Sequence, residues 1–242
     1  MAARVRAGHG RTNWFRPSTG RANLVGLAPI LDIDRGGVGG AVASPRRGRT
    51  LDGDQLAQAM AVRDRMPSST FLCLPVGWSS LRDPTIRGAL LRPAQLRGIA
   101  VELVGILTGA AEPGLCAVAS SIRDAGGLIA VQADEIWHRD VDALTDYAPR
   151  VVILGGQWVH GIERSERRQA IVETLVSAAV ERDAWVMADG VSTMAELRAL
   201  VTLGVALISG PVVGPSDVTG WPGLAPELTR ALAADSGSVH AG

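Results

Sequence analysis

The 242-residue sequence contains no lysine, two cysteines and few aromatic residues, which make up 4% of the chain. The absence of lysine excludes lysine-based catalysis. Cys73 and Cys116 lie in separate apolar runs, so we expect buried, reduced thiols rather than a disulfide or a metal pair. The 24 basic and 24 acidic residues balance to a formal net charge of zero. No overall field therefore favours nucleic acid or an anionic membrane, and neither is predicted as a partner.

Long apolar segments and nucleotide-binding motifs are missing as well. The longest uncharged run, Ala199–Ser216, is interrupted by Gly204, Gly210 and Pro211, so no membrane span is predicted. The N-terminal arginines are not followed by the apolar core of a secretory signal, and we expect a soluble cytoplasmic protein. No phosphate-binding glycine loop, G-x-S-x-G turn or zinc-binding Cys/His pattern occurs.

The chain divides into one large unit and two polar ends. Residues 1–23 are predicted to form a flexible basic arm, because they contain five arginines and no acid. Residues 24–234 carry the periodic apolar segments of a single domain, and residues 235–242 are expected to be a flexible tail.

The strongest local pattern lies between Ala184 and Gly214. Trp185–Ala188 predicts a buried strand, and Thr193-x-x-Glu196 is a capping box that begins a helix. We expect Met194, Leu197, Leu200 and Val201 to share the buried face of that helix. A second apolar strand, Val205–Ile208, follows, so the segment predicts two parallel strands covered on both faces.

Eight such strands alternate with helices along the chain. The first two, Leu24–Ile33 and Val38–Ala43, are joined by a tight turn and predict an antiparallel hairpin. The alternation over this length indicates a (β/α)₈ barrel. A doubly wound sheet is the alternative, but no glycine-rich dinucleotide fingerprint follows any strand.

The C-terminal half carries motifs that resemble the EAL domain family, whose members are barrel phosphodiesterases that linearise cyclic di-GMP with two Mg²⁺ or Mn²⁺ ions. The shared segments are Gly161-Ile162, RRQAIV at Arg167–Val172, MADGVST at Met187–Thr193, Glu196-Leu197 and Leu203–Val205. The resemblance extends from Leu24 to Asp217. It implies a TIM-like barrel of EAL type whose first strand runs antiparallel to the rest.

Most positions that carry the family's chemistry are replaced. The resemblance places the signature glutamate at Ala41, the arginine after it at Pro45, the asparagine ligand at Pro75, the paired aspartates at Gln132-Ala133, and the catalytic lysine and next aspartate at Ile153 and Gly155. The late glutamate is shortened to Asp189, and the glutamine near the end is Ser209. No glutamate lies between Gly26 and Gln95, so no shift of the alignment supplies the signature glutamate.

Two acidic positions of the family site remain, Glu102 and Asp189. A two-metal site needs several oxygen ligands around each hard cation, so we predict that no Mg²⁺ or Mn²⁺ site survives and that no cofactor is bound. The two carboxylates are expected to bond to backbone amides or water at the rim of the barrel.

These replacements predict a catalytically inactive EAL-like domain that acts as a regulatory or adaptor module through protein contacts. The alternatives are a cyclic di-GMP receptor and a phosphodiesterase with a rearranged site. Arg46, Arg47 and Arg49 form a basic loop that could contact phosphate, although we expect cyclic di-GMP to bind weakly.

A homodimer is the predicted assembly. In the resembled family the dimer contact is made by the loop and helix after the fifth strand, which correspond to Asp134–Tyr147. The residues expected at that contact are Ile136, Trp137, Val141, Leu144 and Tyr147. Trp and Tyr are common anchors of protein interfaces.

Overall fold

The hairpin expected at the start of the chain forms from β1 (Gly26–Asp32) and β2 (Gly37–Ser44). Gly36 closes the turn with φ 61°, a left-handed conformation that glycine adopts without steric cost. The structure is a computed structural model, and it describes residues 25–45, 48–91, 96–105, 113–133, 148–217 and 221–238. The arm at residues 1–23 and the last residues of the tail, 239–242, lie outside them.

The remaining elements alternate as the sequence predicts. The strands are β3 (Phe71–Gly77), β4 (Ile99–Val104), β5 (Leu128–Gln132), β6 (Val151–Leu154), β7 (Trp185–Ala188) and β8 (Leu207–Ser209). The α-helices of the described residues are α1 (Gly53–Val62), α2 (Pro84–Leu90), α3 (Pro113–Asp124), α4 (Gly156–Val159), α5 (Glu166–Val180), α6 (Met194–Thr202) and α7 (Pro226–Ser238).

The eight strands close into a barrel in sequence order. β1 pairs antiparallel with β2 and with β8, whereas every other neighbouring pair is parallel. This mixed barrel confirms the predicted fold, including the reversed first strand. Because β1 runs against the others, it begins at the carboxyl-terminal mouth of the barrel and ends at the amino-terminal base.

Side chains alternate between two separate apolar layers, as the strand period of two requires. The outer layer joins the strands to the helices and includes Leu74, Val101 and Leu154. The inner layer fills the lumen of the barrel with Ile30, Cys73, Ala100, Ala130, Val151, Ile153, Met187 and Leu207. The lumen is therefore a packed core, so a site cannot lie inside it; in barrels of this kind functional groups usually gather above the core, at the mouth.

Two burial predictions were wrong. Val201 is 36% exposed, because it lies one residue, and hence about 100°, around α6 from the buried Leu200. Cys116 is exposed, because the buried stripe of α3 runs through Val118, Ala119 and Ile122 on another face of that helix. Cys73 is buried as expected.

No helix in the described ranges is both long enough and apolar enough to cross a membrane.

Candidate functional site at the mouth of the barrel

A row of polar side chains lies directly above the packed lumen. Each member comes two residues after a lumen residue, on the same strand or, for Asp189, directly after the strand ends, so it lies one step nearer the mouth. We call this set the lumen row: Glu102 follows Ala100, Gln132 follows Ala130, Asp189 follows Met187, and Ser209 follows Leu207. The alternation that builds the barrel thus brings four distant polar residues to one level.

Glu102 is held by a direct side-chain contact with the next strand. Its Oε1 accepts a hydrogen bond of 2.8 Å from Nε2 of Gln132, and both residues are at least 93% buried. A buried carboxylate needs such a donor, because its charge has lost the solvation of water. The amide of Gln132 therefore occupies one of the two carboxylate oxygens of Glu102.

Asp189 lies just beyond β7, where its amide donates to the carbonyl oxygen of Leu154 at 2.9 Å. Burial raises the pKa of its carboxyl group. Hydrogen bonds from the Gly190 amide and the Ser209 hydroxyl oppose that shift without cancelling it. Asp189 is therefore a weaker acid than a solvated aspartate, and Ser209 serves as its donor.

Cys73 lies below the row in the lumen. Burial, followed by the negative charges of Glu102 and Asp189, raises the pKa of its thiol well above the usual value. A thiol that remains protonated is a poor nucleophile and a poor metal ligand. Cys73 therefore serves as a small packing residue.

A second polar arrangement fixes the loops around the mouth. Glu196, which is 6% exposed, accepts from the amide of Gly161 at 3.0 Å through Oε1, and from the amides of Ser192 and Thr193 at 2.9 and 3.0 Å through Oε2. We call Glu196 and these three amides the rim clamp. It ties the loop after β6 to the loop after β7.

The rim clamp contains the predicted capping box. The Thr193 hydroxyl accepts from the Glu196 amide at 3.2 Å, which confirms that part of the sequence pattern. Burial alone would raise the pKa of Glu196, but the donors from Gly161, Ser192 and Thr193 together lower it. The clamp therefore holds a charged carboxylate at neutral pH.

The sequence of this barrel matches a known protein family. The sequence profile described as "EAL domain" matches residues 55–216. The chain belongs to the EAL domain family. Among curated proteins, no sequence matches this chain at a significant level.

Solved EAL structures resemble the chain in fold. A manganese and cy-diGMP complex of Klebsiella pneumoniae BlrP1 superposes with a TM-score of 0.70 at 21% identity, covering 86% of this chain and 59% of that protein. The chain thus spans about three fifths of the length of BlrP1.

Two other EAL structures match over nearly their full lengths. The EAL domain of Mycobacterium smegmatis DcpA gives a TM-score of 0.69 at 16% identity, covering 90% of this chain and 98% of that one. A c-di-GMP-bound standalone EAL protein from Vibrio cholerae O395 gives 0.66 at 17% identity, covering 86% and 97%. At these identities the likeness concerns the fold alone.

Two residues of the predicted signature motif of this EAL domain lie on opposite faces of β2. Ala41 is fully buried in the outer layer, whereas Val42 packs against the lumen cluster. A metal ligand on β2 must face the lumen, so Val42 and not Ala41 is the lumen-facing residue of the signature motif.

The other replaced positions divide between the two layers. Pro75 pairs in register with Glu102, and Ile153 is buried within the lumen cluster. Gln132 faces the lumen, whereas Ala133 is buried in the outer layer. The proposed replacements at Pro75, Gln132 and Ile153 therefore lie around Glu102 and below the mouth, and Ala133 does not.

Most of the residues predicted to contact phosphate or a second subunit lie outside the described ranges. Arg49 is exposed after β2, on the mouth side of the barrel, but Arg46 and Arg47 lie outside the described residues. All five predicted dimer residues, Ile136, Trp137, Val141, Leu144 and Tyr147, lie outside them as well. The phosphate and dimer contacts stay predictions.

Two contacts were not found from the sequence. The Gln132–Glu102 bond could have been anticipated, because both residues come two positions after an alanine on neighbouring parallel strands. The reach of Glu196 to Gly161, which is 35 residues away, carries no local signal.

The described side chains do not fit a two-metal centre. Within those ranges, no group of three or more His, Cys, Asp or Glu side chains converges closely enough to hold an ion. Glu102 is engaged by Gln132, and Asp189 is engaged by Ser209 and Gly190. A two-metal site needs several free carboxylate oxygens, which this arrangement does not offer.

Proposed function

We propose that this EAL domain lacks phosphodiesterase activity and acts as a regulatory or adaptor module through protein contacts. The observation that supports it best is the hydrogen bond between Gln132 and Glu102 in the lumen row. An amide takes up a carboxylate oxygen that a cation would need, and Pro75 and Ile153 add no oxygen ligand beside it.

The chemistry of hydrolysis explains why this arrangement argues against activity. Two-metal phosphodiesterases lower the pKa of a bound water and neutralise charge on the phosphate with their ions. The lumen row offers two carboxylates, and one of them, Asp189, has a raised pKa. Among the described residues, no positively charged side chain lies in the lumen cluster to replace the ions, and Ile153 occupies the position that the resemblance assigns to lysine.

The first experiment measures hydrolysis directly. The full chain is incubated with cyclic di-GMP and millimolar Mn²⁺ or Mg²⁺, and the linear product is quantified by chromatography beside an active EAL phosphodiesterase. We expect no conversion above that of a Glu102→Ala, Asp189→Ala double variant. Metal-dependent conversion that this double variant abolishes would overturn the proposal.

A second candidate is a receptor that binds cyclic di-GMP without cleaving it. The orientation of β2 supports it, because Val42 faces the lumen and a one-residue shift of the proposed alignment would bring Arg46 to the family's arginine position. Arg49, three residues later in the chain, is exposed. Without ions to offset two phosphate charges, we expect a Kd weaker than micromolar, which means a binding free energy less favourable than about −8 kcal/mol. Calorimetry with and without a chelator tests this, with Arg49→Gln compared with Arg198→Gln on α6.

The two candidates give different calorimetric results. Tight binding that survives chelation and weakens with Arg49→Gln, but not with Arg198→Gln, would favour the receptor. Heat indistinguishable from dilution for every variant would support the adaptor role.

The homodimer belongs to the proposed function and needs a test of its own. Sedimentation of the wild type over a range of concentrations is compared with Trp137→Ala and with Trp221→Ala as a matched aromatic control. We expect a dimer that only Trp137→Ala weakens. A wild type that stays monomeric at high micromolar concentration would contradict the dimer.

A further inference from the structure

A polar pocket lies at the amino-terminal base of the barrel, on the opposite side from the mouth. It has a volume of about 450 Å³ and forms where β3, β5, β7 and β8 begin and the β1–β2 hairpin turns. Its lining includes Asp32, Asp34, Arg35, Ser69, Phe71 and Trp185. We call it the base pocket.

Trp185 gives the base pocket an aromatic wall. Its side chain is among the few large apolar groups of the described residues that remain open to solvent, at 45% exposure. The guanidinium carbon of Arg150 lies 5.7 Å from the centre of the indole ring, and Arg150 is in turn paired with Asp183. The ring therefore already stacks with one guanidinium, which shows the kind of group it attracts.

The charges of the base pocket leave one carboxylate available. Asp32 accepts from the Arg35 amide at 3.1 Å and pairs with Arg35 Nε at 3.4 Å, while Arg35 Nη1 donates to the Ser69 carbonyl at 2.7 Å. Asp32 and Arg35 thus neutralise each other. Within the described residues, no hydrogen bond or ion pair engages the carboxylate of the exposed Asp34.

The backbone around Asp32 is shaped to keep this arrangement. A Cβ atom at Gly39 would lie 2.6 Å from Cβ of Asp32, so only glycine allows the aspartate to pack across the hairpin. The base pocket therefore presents a fixed ion pair, a free carboxylate and a half-open indole ring. Asp34 and Trp185 line the same pocket, and a carboxylate and an aromatic face both attract a cation, above all a guanidinium.

We propose that the base pocket holds an arginine from the chain's own N-terminal arm, residues 1–23. Five arginines and no acidic residue give the arm the charge that the pocket lacks. The chain contains no lysine, so arginine is the long cationic side chain that it can supply.

The arm is also long enough to reach the base. β1 begins at the mouth, so the point where the arm joins the barrel lies at the opposite end from the base pocket. A strand of the length of β1 spans about 23 Å, whereas an extended 23-residue arm reaches up to about 75 Å. Attachment to the same molecule gives an effective concentration of about millimolar, so a weak contact suffices for substantial occupancy. The inference does not depend on whether the domain hydrolyses cyclic di-GMP.

The test compares nuclear magnetic resonance spectra of two full-length chains. In one, Arg4, Arg6, Arg11, Arg16 and Arg21 are all replaced by glutamine; the other is the wild type. The Trp185 indole signal is identified with Trp185→Phe. We expect the Trp185 indole and Asp34 amide signals to differ between the two chains, while the indole signals of Trp158 and Trp221 near the mouth stay in place.

Matched variants separate the pocket from general charge effects. Asp34→Asn should move the Trp185 signal toward its position in the arginine-free chain, and Glu173→Gln on the exposed face of α5 should not. Adding a synthetic peptide of residues 1–23 to the arginine-free chain should restore the wild-type position. High salt should weaken both effects, because the contact is between charges at the surface.

The outcomes decide the proposal in either direction. Identical Trp185 and Asp34 signals in the wild-type and arginine-free chains would overturn it. Signal differences that grow with protein concentration, together with larger species in sedimentation, would assign the arm to a second molecule and would overturn docking within one chain. Differences that are independent of concentration and reproduced by Asp34→Asn would support it.

Discussion

The lumen row and the rim clamp both place buried carboxylates at the mouth, yet the two regions treat them in opposite ways. Glu196 accepts hydrogen bonds from three backbone amides, and these donors lower its pKa, so they stabilise the charged carboxylate. Asp189 has a raised pKa, and Glu102 is bonded to an amide side chain. The rim clamp joins two loops, whereas the lumen row lies directly above the apolar core of the barrel.

This difference shows which parts of an EAL domain depend on one another. The loops after β6 and β7 are fixed by the rim clamp, which needs no metal ion. No member of the lumen row belongs to the rim clamp, so we expect substitutions in the row to leave these loops in place. Membership of the fold family and an ordered rim therefore do not by themselves decide activity.

The largest effect is expected from breaking the rim clamp. Glu196→Ala removes the acceptor of three amides in a buried site, and we expect a loss of about 3 kcal/mol in the free energy of unfolding. Glu173→Ala, on the exposed face of α5, is the matched control and should change stability by less than about 0.5 kcal/mol. Urea unfolding measures both. A similar small change for the two variants would remove the distinction between clamp and surface.

A smaller loss is expected in the lumen row. Gln132→Ala leaves Oε1 of the buried Glu102 without its amide donor, which costs about 1–3 kcal/mol. Gln169→Ala is a matched control at the rim, because Gln169 Nε2 donates to the Ile162 carbonyl at 2.9 Å in a less buried position. We expect the lumen variant to unfold at lower urea than the control. The reverse order would show that the lumen row contributes little to stability.

Sequence reasoning predicted the barrel well because its signals are local and repeated. The hairpin turn at Gly36, the apolar strands and the Thr193–Glu196 capping box each depend on residues close together in the chain. The barrel came from the alternation of strands and helices, and the reversed first strand came from the hairpin turn and, independently, from the family resemblance. Both agree with the closed mixed barrel.

The site was harder to predict because its details depend on register and on distant contacts. A shift of one residue moves a side chain from one face of a strand to the other, and the apolar run of β2 does not by itself tell that Ala41 faces the outer layer and Val42 the lumen. The face of a helix has the same sensitivity, as Val201 and Cys116 show. No local pattern reveals that Glu196 bonds to Gly161 across two loops.

The opposite pKa shifts predict opposite dependences of stability on pH. The native pKa of Asp189 lies above 3.8, so between pH 3.8 and that native pKa the folded state binds more protons than the unfolded state. The free energy of unfolding therefore falls as pH rises through this range. Asp189→Asn removes this term and should gain stability relative to the wild type as pH rises. The native pKa of Glu196 lies below 4.5, so its contribution is present above 4.5 and is lost as pH falls through the native pKa.

Urea unfolding of wild type, Asp189→Asn and Glu196→Gln from about pH 3 to pH 7 measures both terms. The free energy of unfolding of the wild type minus that of Asp189→Asn should decrease as pH rises. The corresponding difference between the wild type and Glu196→Gln should increase. Parallel curves for all three proteins would show that neither carboxylate is perturbed.

The two cysteines give the smallest effect, in reactivity rather than stability, and they test whether the lumen is closed. Cys73 is completely buried beneath the lumen row and its thiol pKa is raised by burial, whereas Cys116 is exposed on α3. A thiol reagent should therefore label one cysteine of the native protein rapidly and the second only after unfolding, because the reactive species is the accessible thiolate. Cys116→Ser should abolish the rapid phase, Cys73→Ser should leave it unchanged, and denaturant should expose both thiols of the wild type as the control. Rapid labelling of Cys73 in the native state would mean that reagent enters the barrel past Glu102 and Gln132. The contrast between a closed lumen and an ordered rim would then no longer hold.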